Sequence, residues 1–273
     1  MKVIFNGQLS EETIGVKISN RATQFGDGIF ETMIVQNNNI RFFDAHLDRL
    51  NRGAKALNLT NELLRDETLK MKIHQLVEAN NIVDTCRVKV MLWRQETGNT
   101  GYTSNTNKSD ALIVVNPSID PHIRVIDRVA FSVRVFLTAT YFSKFKTISA
   151  LPYVIASIER DEMECDELII TDSMGYVSEC ISSNVFWITN GRIFTPPLTT
   201  GCIEGIMRKQ IMALFEKLGK PVQEQNLLKE QLSNQEVVFS ANVTGLAIFK
   251  HIDNHPLATT HSHIDMIKQQ LGL

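Results

Sequence analysis

Cysteine, proline and long apolar runs are all scarce in this chain of 273 residues. The four cysteines, Cys86, Cys165, Cys180 and Cys202, stand far apart, and no C-x-x-C pair occurs. That excludes the usual spacings of structural zinc and of thioredoxin-like redox pairs, and the four read as ordinary reduced thiols. Seven prolines and 14 glycines are too few for a collagen-like or low-complexity chain. The longest purely aliphatic stretch, Ala111 to Val115, falls far short of the ~20 residues that a membrane-crossing helix needs. Only three apolar residues follow Met1-Lys2 before Asn6-Gly7, so no secretory signal is expected and the chain reads as cytoplasmic. An excess of one charge is missing too. Lys plus Arg total 28 against 30 Asp plus Glu, a net charge of -2, so no basic field draws nucleic acid or anionic lipid.

What is present is enough apolar residue, 43%, for a proper core, in one large domain or two modest ones. Strand-like runs cover Val3 to Asn6, Ile29 to Val35 and Ile40 to Phe43, the last two joined as a hairpin through Asn37-Asn38-Asn39. Asp44 offers a helix cap ahead of Leu47, Leu50, Ala54 and Leu57 at helical spacing. A second helix follows at Leu69, Ile73, Leu76 and Val77, then strands at Arg87 to Trp93 and Ala111 to Val115, separated by a long polar loop from Glu96 to Asp110. The segment Asn116-Pro117-Ser118-Ile119-Asp120-Pro121 reads as a linker. It divides the chain into a small α/β domain, 1–117, and a larger strand-rich domain, 118–273.

In the second part, strands are expected at Val129 to Val135 and Leu137 to Phe142, then a helix carrying Leu151, Val154, Ile155 and Ile158. Strands at Glu167 to Thr171, Tyr176 to Glu179, Asn184 to Ile188 and Arg192 to Phe194 follow, and a helix through Ile206, Met207, Ile211, Leu214 and Leu218 stops at Gly219. Strands at Val237 to Ser240 and Ala247 to Lys250 precede a short terminal helix. The fold class is α+β or mixed α/β with two domains.

Few motifs point to chemistry unaided. Gly26-Asp27-Gly28 lacks the third glycine of a dinucleotide fingerprint and enters a strand, so it fails as a Rossmann signal. Thr199 to Arg208 places small residues where an amphipathic helix begins; this is either an anion site built on free backbone N–H groups or a plain helix start. Four of the seven histidines, His251, His255, His261 and His263, crowd the tail at spacings that match no zinc pattern. Lys144 and Lys146 flank Phe145, and each alone reads as a solvated charge.

Taken together in order, several segments resemble the fold-type IV pyridoxal-phosphate enzymes, the class IV aminotransferase family. They are Arg21-Ala-Thr-Gln-Phe-Gly-Asp-Gly-Ile-Phe-Glu-Thr32, Phe43-Asp-Ala-His-Leu-Asp-Arg49, Asp166-Glu-Leu-Ile-Ile-Thr-Asp172, Gly175-Tyr-Val-Ser-Glu179 through Asn184, Thr195-Pro-Pro and Gly205-Ile-Met-Arg208. The resemblance implies a two-domain fold like that of D-amino-acid aminotransferase, with pyridoxal 5'-phosphate at the domain interface. Lys146, 33 residues before Glu179, stands at the family's Schiff-base lysine; Lys144, two residues further away, is the rival. Such a lysine carries the cofactor and moves the proton. Glu179 resembles the carboxylate that holds the pyridine nitrogen protonated, the protein's main electronic lever on this cofactor. Arg49 looks like the phosphate-binding arginine. Ser183, Asn184, Ile203, Gly205, Ile206, Met207 and Asn242 complete the implied cofactor set.

Within the family the chain is most similar to 4-amino-4-deoxychorismate lyase. Gln24-Phe-Gly-Asp-Gly28 and the arginine-and-glycine loop from Arg94 to Gly101-Tyr102 carry that likeness. Against it, Gln95 stands in place of a glycine and Ser149 in place of an asparagine. The tyrosine that branched-chain transaminases carry soon after the lysine is replaced in a run Thr147-Ile-Ser-Ala-Leu151. The resemblance thus implies release of pyruvate and p-aminobenzoate, with a class IV aminotransferase for branched-chain or D-amino acids as the alternative. Phe25, Phe30, Thr32, Arg94 and Tyr102 would line the substrate pocket, some of them from the partner in a homodimer.

Overall fold

The computed structural model describes residues 1–11, 15, 17–98 and 101–273. Asn99 and Thr100 of the expected polar loop lie outside the described residues. The chain divides into two compact units, 1–120 with 145–150, and 121–144 with 151–273. The boundary falls three residues beyond the expected one. The six-residue segment from Phe145 to Ala150, carrying Lys146, belongs with the first unit rather than the second. Backbone pairing holds it there: Phe30 N–H donates to Lys146 O at 2.8 Å, Ile148 N–H to Gly28 O at 2.9 Å, and Thr147 bridges Ile29.

The first unit is built on strands β1 (Lys2–Phe5), β2 (Gln8–Glu11), β3 (Gly28–Gln36), β4 (Asn39–Ile40), β5 (Cys86–Arg94) and β6 (Ser109–Pro117), with helices α1 (Arg21–Phe25), α2 (Phe43–Ala56) and α3 (Asp66–Ala79). The sheet order is β2-β1-β6-β5-β3-β4, every pair antiparallel. The hairpin exists, but its second strand is two residues long, because Phe42 turns left-handed (φ 53°) and α2 begins at Phe43. Asp44 is therefore inside the first turn, complementing the helix dipole, and does not cap it. Along β3 burial alternates: Ile29, Glu31 and Met33 are buried while Phe30 and Thr32 are half-buried. The buried row packs with Leu50 and Ala54 of α2 and with Leu69, Ile73 and Leu76 of α3 in one apolar core. Each such aliphatic side chain contributes roughly 1.5–3 kcal/mol.

The second unit comprises β7 (His122–Leu137), α4 (Leu151–Glu162), β8 (Glu167–Asp172), β9 (Val177–Cys180), β10 (Asn184–Thr189), β11 (Arg192–Thr195), α5 (Ile206–Lys217), β12 (Gln223–Glu224), α6 (Lys229–Leu232), β13 (Val237–Asn242), β14 (Gly245–Ile252), β15 (His255–Pro256) and α7 (Ser262–Leu271). The two strands expected between Val129 and Phe142 are one strand ending at Leu137. It changes partner midway, pairing with β14 from His122 to Val129 and with β8 from Val129 onward. The path β10-β13-β14-β7-β8-β9 is closed by a pairing of β9 with β10, which makes a six-stranded ring. All six strands send apolar side chains inward: Phe131, Ile169, Cys180, Trp187, Val238 and Phe249 share one core. Closure removes most free strand edges from this sheet.

Helix α4 lies outside the ring, and its orientation differs from the simplest reading of its periodicity. Ala156 and Glu159 face inward, while Leu151, Val154, Ile155 and Ile158 are exposed. The inward acid is satisfied: Glu159 accepts from Ser132 Oγ at 2.5 Å and from Val133 N–H at 2.8 Å. Among the described residues no helix is long and apolar enough to cross a membrane.

Candidate active site

In the first unit, the β3 alternation presents two different surfaces. On the exposed side the Phe30 ring is approached by two amines, Lys146 Nζ at 5.2 Å and Lys89 Nζ at 4.6 Å from its centroid. Lys89 stands opposite Thr32 on β5. Burial, and secondarily the charge of Arg87, pushes its ammonium group below the ordinary lysine range. Lys144, the rival of Lys146, falls in the second unit, where its carbonyl accepts from Glu204 N–H at 3.0 Å.

On the buried side, Glu31 meets Arg49 and His46 of α2. Arg49 Nε reaches Oε1 at 2.6 Å and Arg49 Nη2 reaches Oε2 at 2.7 Å, a bidentate fork. His46 Nδ1 lies 2.7 Å from the same Oε2. Burial alone would raise the Glu31 carboxyl, but the Arg49 charge and the hydrogen bonds from Arg49 and His46 outweigh it and hold it at about 2. The structure thus gives the expected phosphate arginine a protein carboxylate that fixes its plane. Glu31 and His46 stood within the quoted motifs, but sequence reasoning assigned neither a role.

The substrate candidates divide. Phe30 and Thr32 share a face with Lys89, and Tyr102 is 88% exposed, its ring 5.4 Å from Phe25. Arg94 is committed elsewhere: it binds Asp27 through Nε (3.0 Å) and Nη2, and donates to the carbonyls of Leu57, Asn58 and Thr106. Arg21 joins the same Asp27 at 2.8 Å and donates to the carbonyls of Gly101, Tyr102 and Thr103. Asp27 is therefore a pivot on which two arginines hold the loop that carries Tyr102. Its glycine neighbours have their own reasons: Gly26 ends α1 at φ 64°, and a Cβ on Gly28 would lie 2.4 Å from Leu92 O.

In the second unit the strand closure builds the other half of the candidate set. Cys180 points into the ring core, so Glu179 beside it points out, on the side where Tyr153 of α4 packs against the cluster of Leu137, Ala156 and Ile170. Glu179 is buried and takes three donors: Tyr153 O–H at 2.6 Å on Oε1, and Asn184 Nδ2 and Ile203 N–H, both at 3.1 Å, on Oε2. Asn184 Nδ2 also donates to Ile203 O at 2.8 Å. A Cβ on Gly205 would lie 1.9 Å from Asn184 Oδ1, so the start of α5 sits directly against this cluster. Ile206 and Met207 open that helix, and no side chain caps it. Tyr153 is a neighbour of Glu179 that sequence reading missed; it stands seven residues after Lys146, just past the run Thr147 to Leu151 in which the sequence shows no tyrosine.

Ser183 and Asn242 enter a different set of contacts. With His122, Arg124, Ser240 and Thr244 they line a small cavity of about 10 Å³, room for roughly one water. Asn242 Oδ1 accepts from Thr244 N–H at 2.8 Å and its Nδ2 donates to Ser182 O at 3.2 Å, so the side chain shapes the turn between β13 and β14.

A buried, out-facing carboxylate thus lies beside an uncapped helix start, whose free backbone N–H groups suit an anion. A family model for class IV amino-transferases matches residues 28–252, and the chain belongs to that family. Its cofactor is pyridoxal 5'-phosphate, and the Glu179 cluster and the Gly205 cradle fit that group. The chain is 28% identical over 255 residues to a D-alanine aminotransferase of Bacillus licheniformis, covering 91% of this chain and 87% of that one. It is 25% identical over 238 residues, 86% of this chain, to a branched-chain-amino-acid aminotransferase-like protein 2 of Arabidopsis thaliana, but spans only 42% of that protein's length. Among solved structures, a branched-chain aminotransferase from Thermoproteus uzoniensis with norvaline superposes with a TM-score of 0.89 at 22% identity, over 100% of this chain and 93% of that one. The "putative 4-amino-4-deoxychorismate lyase" of Legionella pneumophila superposes with a TM-score of 0.84 at 22% identity, over 96% of each. At such identities the superpositions establish the fold.

Proposed function

We propose that the chain is a 4-amino-4-deoxychorismate lyase that releases pyruvate and p-aminobenzoate. The observation that carries this reading is Lys89. It is a half-buried cation on the Phe30–Thr32 face, and among the described residues no carboxylate pairs with it. Burying an unpaired charge is costly, and an anionic ligand offsets that cost. The lyase substrate carries two carboxylates, whereas a branched-chain side chain would meet a charge where it needs apolar surface.

Lys146 and Arg49 of the first unit, with Glu179, Asn184, Ile203, Gly205, Ile206 and Met207 of the second, are the proposed cofactor residues. Bound pyridoxal phosphate supplies an electron sink for the negative charge that forms when the substrate loses a proton. Lys146 takes that proton from the ring carbon bearing the nitrogen. The enolpyruvyl C–O bond then breaks and the ring becomes aromatic. Glu179 holds the proton at the cofactor's ring nitrogen, and Lys89 orients a substrate carboxylate.

The second reading, an aminotransferase for branched-chain or D-amino acids, is supported by the names of the relatives at 25–28% identity. Assaying p-aminobenzoate release alongside a panel of L- and D-amino acids separates the two. The lyase reading expects release of p-aminobenzoate, with Lys89→Met raising KM at least tenfold. Conversion of the cofactor to its amine form by an amino acid, without p-aminobenzoate release, establishes the aminotransferase.

The exposed apolar row of α4, with Leu151 65% and Ile158 47% exposed, supports a homodimer, which sedimentation velocity tests. Four free thiols support a reducing cytoplasmic setting.

A further inference from the structure

Tyr153 has no part in the chemistry described above, yet it holds the charged end of Glu179. Its O–H lies 2.6 Å from Oε1, the carboxylate oxygen that neither Asn184 Nδ2 nor Ile203 N–H contacts. The three donors come from separate places: α4, the first residue of β10, and the segment ahead of α5. Tyr153 and Pro152 stand in the first turn of α4, and the ring packs against the cluster of Leu137, Ala156 and Ile170, the last paired in register with Glu179. The phenol is thus aimed at the carboxylate by helix and strand alike.

The hydroxyl is a lasting donor. Burial first, then the Glu179 charge and the hydrogen bond to it, pushes the phenol far above the ordinary tyrosine range. Two thiols, Cys180 and Cys202, also feel the Glu179 charge. Burial pushes Cys202 up to about 12 and Cys180 well above its ordinary value, so both are neutral near pH 7. Arg208 and Glu224 act on Cys202, and Glu167 acts on Cys180.

A ring nitrogen paired with a carboxylate shares one proton with it. Each donor on the carboxylate stabilises its ionised form and so moves that proton toward nitrogen. We propose that Tyr153 is a positioning residue that keeps Glu179 ionised and thereby keeps the proton on the ring nitrogen of the bound cofactor. The proposal rests on the reading of Glu179 as the partner of that nitrogen.

The test is the ¹⁵N resonance of ring-labelled pyridoxal phosphate in the wild-type holoenzyme, in Tyr153→Phe and in Glu179→Gln, at one pH. Phenylalanine keeps the ring that packs on the Leu137, Ala156 and Ile170 cluster and removes only the hydroxyl. The wild type is expected at the protonated position and Glu179→Gln at the unprotonated one. Tyr153→Phe should move toward the unprotonated position, by roughly tenfold or more in the proton equilibrium, the scale of a lost hydrogen bond to a charged group. Replacing Tyr153 with 3-fluorotyrosine, which keeps the donor, should restore the wild-type resonance. A Tyr153→Phe resonance equal to wild type, with Glu179→Gln unprotonated, overturns the role of Tyr153 alone. A Glu179→Gln resonance equal to wild type overturns the Glu179 reading, and the Tyr153 proposal with it.

Discussion

Glu179 and Asn184 are partners twice over. They are the register pair by which β9 meets β10, and the Asn184 side chain donates to Glu179 Oε2 at 3.1 Å. The closure of the ring and the placement of the candidate catalytic carboxylate are therefore one event. A change that loosens the pair disturbs fold and site together.

Asn184→Ala leaves Glu179 Oε2 and Ile203 O each short of a buried donor. Stability is expected to fall by about 1–3 kcal/mol, the cost of an unsatisfied buried polar group. Urea unfolding of the cofactor-free protein measures it, and cofactor affinity should fall in parallel.

Glu31 gives the protein a pH dependence whose sign is fixed. Its carboxyl is lowered from an ordinary 4.5 to about 2 in the folded state. The group therefore stabilises the fold above about 4.5, and that contribution is lost as pH falls toward 2. Glu31→Gln should destabilise by roughly 3 kcal/mol at pH 7 and by much less at pH 3, read from urea midpoints at the two values.

Lys146→Ala is expected to abolish turnover and the visible absorption band of lysine-linked cofactor, while Lys144→Ala keeps both. Persistence of the band in Lys146→Ala would transfer the role to Lys144.

Gly205→Ala would set a methyl group 1.9 Å from Asn184 Oδ1, and one of the two must move. Cofactor affinity is expected to fall roughly tenfold or more, about 1.4 kcal/mol. Equilibrium titration with pyridoxal phosphate reads it, and unchanged affinity would mean that the helix start is not the cradle.

Much of this architecture was legible beforehand because its signals are local. Helical spacing marked α2, α3 and α5, turn residues marked the hairpins, and the ordered motifs carried the family. Other features were not legible because they depend on contacts distant in sequence. Leu151, Val154, Ile155 and Ile158 have the spacing of a buried helix face, but α4 turns Ala156 and Glu159 inward, since Ser132 and Val133 of β7 supply donors to the acid. Arg94 has the residue type of a carboxylate binder, but Asp27 and three carbonyls occupy its fork. The Schiff-base candidate at 146 follows the linker in sequence, yet strand-like pairing with Gly28 and Phe30 returns it to the first unit.

By itself the sequence determined the family and with it the cofactor, because the motifs follow from residue type and order along the chain; the same motifs nominate Lys146 and Glu179 for its chemistry. Tertiary structure decided which side of each strand those residues occupy and which neighbours hold them. Only the fold sets Arg49 against Glu31, brings Lys89 and Lys146 each to the Phe30 ring, and sets Tyr153 on Glu179. The reason is physical: a hydrogen bond is fixed by a distance of about 3 Å, and residues 18 and 26 positions apart acquire such a distance only when the chain has packed.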